Sequence, residues 1–352
     1  MSYKGLRLAE PKTIDVAVAD RDLVPAEDEA LVEIKRVSLC GSDYRLYDGT
    51  YSGPARYPLL FGHEWSGVVL DTGSEVLEVQ EGDRVTGDCS KWCGHCEACL
   101  TDKNLCANIE KYGITIDGFS VQRALVPVQH LYRDPYYLPY DLLALTEMFA
   151  VALHAIKRLG NPPSEPPHRR TLIIGGGPLG VAVYLLLTLS YGWKRVDIHD
   201  VVGERIAFLK GLFPDRNIGH SIPSSEALNG GSYKDLYRSS PYAVVFEAAG
   251  YPEALRQAID LALPRATIVT LGMPAQSSYD LSKVTSKALN VLGSIGGTGE
   301  FREVLDFFES HGPLVQRLVT RTYSYHDAHL AFEEGRDSSR NMKVQLNLSD
   351  EV

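Results

Sequence analysis

Three residues in the first fifth of the chain are of the donor types that hold a metal ion with one position left open. Cys40 offers a thiolate, His63 an imidazole and Glu64 a carboxylate, which fill three corners of a zinc tetrahedron and leave a fourth for chemistry. Taken singly each reads blandly, since a lone cysteine is usually buried and inert. Gly62 and Gly67 bracket His63-Glu64-Trp65-Ser66, so the backbone there can turn tightly and present both side chains. Asp43 is either an acceptor that orients the imidazole or the metal's water, or a turn-stabilising acid. Ser42, two residues from the thiol, has a hydroxyl able to take a proton and pass it on; its plain reading is a loop serine. Glu147 follows a run in which Leu142, Leu145, Met148, Phe149, Ala152, Leu153 and Ile156 share one helix face. It either meets the metal or stands exposed at a helix start against the dipole.

A second cluster is denser. Cys93, Cys96, Cys99 and Cys106 follow the spacing C-x2-C-x2-C-x6-C, which closes four thiolates around one zinc with no vacant position. An iron–sulfur cluster is the competing reading. His95 and Cys89 fall outside this register and read as bystanders. All six cysteines lie between positions 40 and 106. In a long chain with no signal-like start, that clustering reads as metal ligation rather than a disulfide framework.

The third chemical signal is Gly175-Gly176-Gly177-Pro178-Leu179-Gly180, preceded by the apolar run Thr171–Ile174 and followed by the apolar run Val181–Ser190. Strand, glycine turn and helix form the setting in which this fingerprint binds a dinucleotide. Gly175 permits the turn, Gly177 lets the pyrophosphate approach, and Gly180 lets helix and strand pack, with Pro178 and Leu179 opening the helix whose N-terminus faces the anion. Asp200 ends the next strand, twenty residues past Gly180, where a carboxylate accepts from ribose hydroxyls and repels a 2′-phosphate. NAD is therefore expected over NADP. Asp197 is a competitor inside the strand, and Arg205 is placed to flank the ribose. Further strand–helix alternation predicts a doubly wound parallel sheet, with Ala249, Leu271 and Ser294 at strand ends lining the nicotinamide half.

The elements that must position these groups fit a chain of 352 residues, long enough for two domains. Residues 1–38 read as short strands that deliver Cys40. Gly160–Arg170, with four prolines in eleven residues, reads as an exposed loop. The segments Leu314–Val319 and Lys343–Leu348 read as a return to β-type sequence, with a helix at Tyr325–Gly335 between them. A formal net charge of −10 and the absence of Lys/Arg blocks argue against nucleic acid. No apolar run approaches the roughly 18–20 residues of a membrane span. No signal-peptide pattern opens the chain, so a cytoplasmic location is expected.

With these motifs in place, the chain resembles the zinc-dependent medium-chain dehydrogenases of the polyol type, the group of sorbitol and threonine dehydrogenases, nearly end to end. The resemblance implies an α/β fold: a GroES-like, β-rich catalytic domain over 1–150 with two zincs, a Rossmann NAD-binding domain over 151–294, and a return to the first domain over 295–352. It implies that Cys40, His63 and Glu64 bind the catalytic zinc, that Glu147 joins or leaves it, and that Ser42 relays the proton. It assigns the four later cysteines to a structural zinc, although their last gap is one residue shorter than expected. At Arg45 several relatives carry a histidine that finishes the relay, whereas an arginine stays charged and cannot shuttle. The stretch Tyr47–Tyr57 resembles cyclitol dehydrogenases such as 2-deoxy-scyllo-inosamine dehydrogenases. The implied activity is reversible oxidation of a secondary alcohol to a ketone with NAD, in a homodimer or homotetramer. Tyr44, Tyr47, Tyr51, Arg56 and Lys91 point toward a polyol, cyclitol, aminocyclitol or sugar derivative. The rival readings are a zinc-independent quinone or enoyl reductase and a non-catalytic binding protein on the same scaffold.

Overall fold

Alternation of apolar and charged residues makes Glu29–Ser38 a strand with Ala30, Val32 and Ile34 on its buried face. A register shift between Ile34 and Arg36 then turns Val37 inward, as an extra residue in a ladder does. This strand is the hub of a seven-stranded sheet in the computed structural model, which describes residues 2–20, 22–160, 163–215, 218, 232, 237, 242–273 and 281–349. The sheet runs Leu131–Arg133, Arg84–Gly87, Glu64–Thr72, Glu29–Ser38, Lys343–Asn347 and Val319–Ser324, with Arg123–Pro127 also paired to the hub. A three-stranded sheet of Thr13–Asp20, Ser2–Glu10 and Leu59–Leu60 accompanies it. The core beneath is aromatic: Trp65 stacks on Phe119 at 4.4 Å, and Phe332 meets both Tyr47 and Phe61.

The chain divides into two compact units, residues 1–150 with 296–352, and residues 151–295. In the first, the carboxy-terminal strand Lys343–Asn347 pairs with the amino-terminal hub strand. The expected strand at Leu314–Val319 is corrected. Helix Phe301–Val315 runs through Pro313, a 3₁₀ turn covers Gln316–Leu318, and the strand begins at Val319. Burial of Phe301, Val304, Leu305 and Phe308 on one helix face outweighs the local β pattern, and a proline so near the end removes little hydrogen bonding. The helical run read from Leu142 to Ile156 is two helices, Tyr140–Leu143 and Thr146–Lys157.

In the second unit five described strands form one parallel sheet in the order Val196–His199, Arg170–Ile174, Tyr242–Glu247, Ala262–Thr270, Asn290–Gly293. The order reverses direction at Arg170–Ile174, and the carboxyl ends of strands beside such a switch point form the crevice where ligands bind in open α/β sheets. No helix among the described residues is long and apolar enough to cross a membrane.

Candidate active site

Strand pairing assembles the first donor group. Ser38 lies opposite Glu64 in the antiparallel ladder, so Cys40, just past one strand, and His63, just before the other, arrive side by side. Cys40 also caps helix Gly41–Asp48. The fully buried Asp43 carboxylate accepts the Cys40 backbone N–H at 2.8 Å and the Gly62 N–H at 3.2 Å, fastening both segments to one side chain. Gly62 has φ 83°, and a Cβ there would meet Val37 at 2.6 Å, so only glycine suits this turn.

The donor atoms of Cys40, His63 and Glu64 all lie within 4.8 Å of one another. The His63 ring is buried, with Nδ1 3.7 Å from Asp43 and Nε2 3.4 Å from the Ser42 hydroxyl. Burial alone would lower its pKa, but the Asp43 carboxylate and the Cys40 sulfur outweigh it and push it up to about 10. A metal ion would take the place of that proton, since an imidazole binds metal only in its neutral form. Glu64 is countered by Lys343, a residue the sequence reading missed. The Lys343 ammonium, itself buried, donates to both Glu64 oxygens and to the Leu39 carbonyl. A thiolate, an imidazole and a carboxylate converging in a buried site fit zinc. Glu147 stands beside this trio rather than within it. It is buried, with the Cys89 thiol and the His63 ring among its neighbours, and burial raises its pKa. Cys89 is therefore the neighbour of Glu147, although spacing alone marked it as a bystander.

The second cluster is a different object. Sulfur–sulfur distances are 3.5 Å for Cys96–Cys99, 3.9 Å for Cys96–Cys106 and 3.5 Å for Cys93–Cys106. A tetrahedron with zinc–sulfur bonds of about 2.3 Å has edges of roughly 3.8 Å, so these four thiols fit one zinc. The backbone N–H groups of Cys93 and Asn108 donate to the Cys106 sulfur, each at 3.3 Å. Backbone and Asn108 donors bring the Cys93 thiol down to about 5. The lobe grips the returning chain: the Thr298 hydroxyl donates to Asp88 at 2.6 Å and its N–H to Asn104 at 3.0 Å.

At the glycine turn, Gly175 has φ 109°, and an added Cβ would come within 2.9 Å of the Ala248–Ala249 backbone. A Cβ on Gly180 would fall 2.0 Å from the Gly175 oxygen, whereas nothing lies within 4 Å of one on Gly177. Two glycines thus permit close packing and the third faces open space at the start of helix Pro178–Leu185, where Leu179 follows, a cradle that fits a pyrophosphate. Asp200 accepts the Gly176 N–H at 2.8 Å, and Arg205 packs against the same glycine. Asp197, the rival acid, is engaged by Arg170 at 2.7 Å. Ala249 and Leu271 are held by Glu247, through its carboxylate and its carbonyl respectively. Ser294 follows the last strand with its hydroxyl buried and unpartnered. Of the substrate-side candidates, Tyr47 is corrected to a core residue: it is fully buried, and its hydroxyl donates to Glu333 and meets His329. Lys91 pairs with Glu110 at 3.4 Å and Arg56 is exposed, while Tyr51 is half-buried.

The alcohol dehydrogenase GroES-like domain model matches residues 26–136, and the zinc-binding dehydrogenase model matches residues 215–310. The chain belongs to the zinc-dependent medium-chain dehydrogenases. This dehydrogenase is 28% identical to the starvation-sensing protein RspB of Escherichia coli over 99% of its own length and 100% of the relative's. The crystal structure of an E. coli rspB alcohol dehydrogenase with NADH superposes with TM-score 0.84 at 25% identity, covering 98% and 99% of the two chains. L-threonine 3-dehydrogenase of Shewanella frigidimarina is 27% identical over 91% of this chain and 92% of its own. A Sinorhizobium meliloti zinc-binding dehydrogenase bound to NADP matches with TM-score 0.84 at 26% identity, over 99% of each chain.

Proposed function

We propose that this dehydrogenase reversibly oxidises a secondary alcohol to a ketone, using NAD and a zinc ion held by Cys40, His63 and Glu64. The observation that carries the reading is the convergence of those three unlike donors beside the Ser42 hydroxyl. Cys40, His63 and Glu64 would hold a zinc whose chemistry is Lewis acidity, and the glycine turn would hold NAD, whose chemistry is hydride acceptance. Asp43 orients the His63 ring, and Ser42 receives the alcohol proton and passes it outward. Glu147 would offer a metal a further carboxylate beside Glu64, which Lys343 holds. Asp200 at the end of its strand supports NAD over NADP, although a similar protein binds NADP. The substrate is taken to be a polyol, cyclitol, aminocyclitol or sugar derivative, and Cys93, Cys96, Cys99 and Cys106 to hold a second, structural zinc.

A panel of polyols and cyclitols with NAD and NADP, followed by absorbance of the reduced cofactor, tests this. The reading expects NAD-dependent turnover with at least one polyol that stops when the first zinc is removed. Turnover that survives that removal would favour a zinc-independent reductase instead.

A further inference from the structure

The parallel sheet carries a second concave site at the end opposite its glycine turn. A cavity of about 500 Å³ is lined by Arg169, Tyr237, Ala243 and the segment Leu263–Ala266. Arg169 and Ala243 sit at the amino-terminal ends of their strands, whereas Gly175 and Gly177 follow a carboxyl end. The hollow has a cause in the strand ladder. Tyr242 pairs with Ala262 and the next pair is Val244 with Thr267, so four residues, Leu263 to Ala266, stand opposite Ala243 alone. Such bulges re-aim side chains next to functional sites.

Within the bulge Arg265 has φ 65°, a left-handed conformation that costs a non-glycine residue on the order of 1 kcal/mol or more. The surroundings hold it there. Its N–H donates to the Lys287 carbonyl at 2.7 Å, and the buried Lys287 ammonium donates to the carbonyls of Ile259, Asp260 and Ala262. Neighbouring cations are neutralised: Arg170 by Asp197, Arg195 by Glu165 and Lys283 by Asp260. Among the described residues the Arg169 and Arg265 side chains have no carboxylate partner. A chain with ten excess negative charges thus leaves, among the described residues, two guanidinium groups without a carboxylate on one cavity.

We propose that this cavity binds a small phosphorylated molecule, with the phosphate between Arg169 and Arg265 and the organic part against Tyr237, Leu263 and Pro264. Two guanidinium forks present more donors than one carboxylate can accept, and a phosphate's terminal oxygens match them. The volume suits a sugar phosphate or a mononucleotide. The site is separate from the glycine turn, and its occupancy does not depend on the alcohol chemistry.

The test is titration of the full chain, zinc-loaded and with NADH present, with ribose 5-phosphate and separately with inorganic phosphate, read by calorimetry and phosphorus NMR line broadening. Saturable binding is expected, weakened by about tenfold or more in Arg169→Gln and in Arg265→Gln, the loss expected for one charge-assisted hydrogen bond. Tighter binding of ribose 5-phosphate than of inorganic phosphate identifies an organic ligand; equal binding reduces the site to a phosphate site. Arg265→Gly removes the guanidinium while relaxing the left-handed residue, so it keeps the fold and is expected to lose binding equally. No binding at millimolar probe, or binding that the arginine variants leave unchanged, overturns the proposal.

Discussion

The two cysteine-bearing donor groups lie in the same unit and are built on opposite plans. The four-cysteine group uses one donor type, drawn from a single stretch of 14 residues, with sulfurs 3.5 to 3.9 Å apart. It is closed, and the lobe around it, through Asp88 and Asn104, holds Thr298. The mixed group takes three unlike donors from two segments that only strand pairing unites, and it needs Asp43 to fasten them and Lys343 to balance Glu64. Local, uniform donors stabilise a loop. Three protein donors leave the fourth position of a zinc tetrahedron open for chemistry.

The sharpest way to break this comparison is to remove a donor from each group. His63→Asn is expected to lower kcat/KM by about a thousandfold or more while the four-cysteine zinc is retained, because the lost interaction acts on the reaction. Cys99→Ser is expected to do the reverse, lowering the unfolding midpoint and releasing the lobe zinc, since structural zinc contributes folding energy directly. Loss of the lobe zinc from both variants would erase the distinction.

A second test concerns Lys343. Lys343→Met leaves Glu64 buried without a countercharge, which is expected to cost about 3–5 kcal/mol in metal-free protein, measured by denaturant unfolding. With zinc present the penalty is expected to shrink, because the metal then balances the carboxylate. An identical penalty in both forms would mean that Glu64 does not face the metal.

The third test asks where acid sensitivity resides. Burial, with Lys91 and Lys103 nearby, lowers the His130 pKa from 6.5 to about 4. The unfolded chain takes up a proton as pH falls through 6.5 while the folded chain does not. Stability is therefore whole above 6.5 and declines toward pH 4, by up to about 3 kcal/mol. His130 packs edge-on against Trp92 beside the four cysteines. His130→Gln should flatten the melting curve against pH in that window; an unchanged slope would place the acid weakness elsewhere. The smallest effect is expected at the Thr298–Asp88 bond, where Thr298→Val should cost about 1–2 kcal/mol of stability.

What the sequence made legible follows the same division. Cys93, Cys96, Cys99 and Cys106 could be read directly because their contacts are local, as could the glycine turn from Gly175 to Gly180. Cys40, His63 and Glu64 could be read as donors only through motif context, since the Ser38–Glu64 pairing that joins them is a long-range event. Lys343 was invisible: it lies 279 residues from Glu64, and a lysine opening a strand carries no local mark. The one usable signal was that a buried carboxylate requires a countercharge somewhere. Tyr47 misled because tyrosine serves equally as a core ring and as a polar contact, and here Phe332, His329 and Glu333 claim it. The strand expected at Leu314–Val319 failed because a helix face rich in phenylalanine overrode a short β pattern.

The most direct test counts zinc and follows NAD reduction together in Cys40→Ser, with a polyol that the native protein oxidises. The account predicts about one zinc per chain, retained by the four-cysteine cluster, a native-like fold and no measurable turnover. A folded variant with that single zinc and undiminished NAD reduction would contradict it.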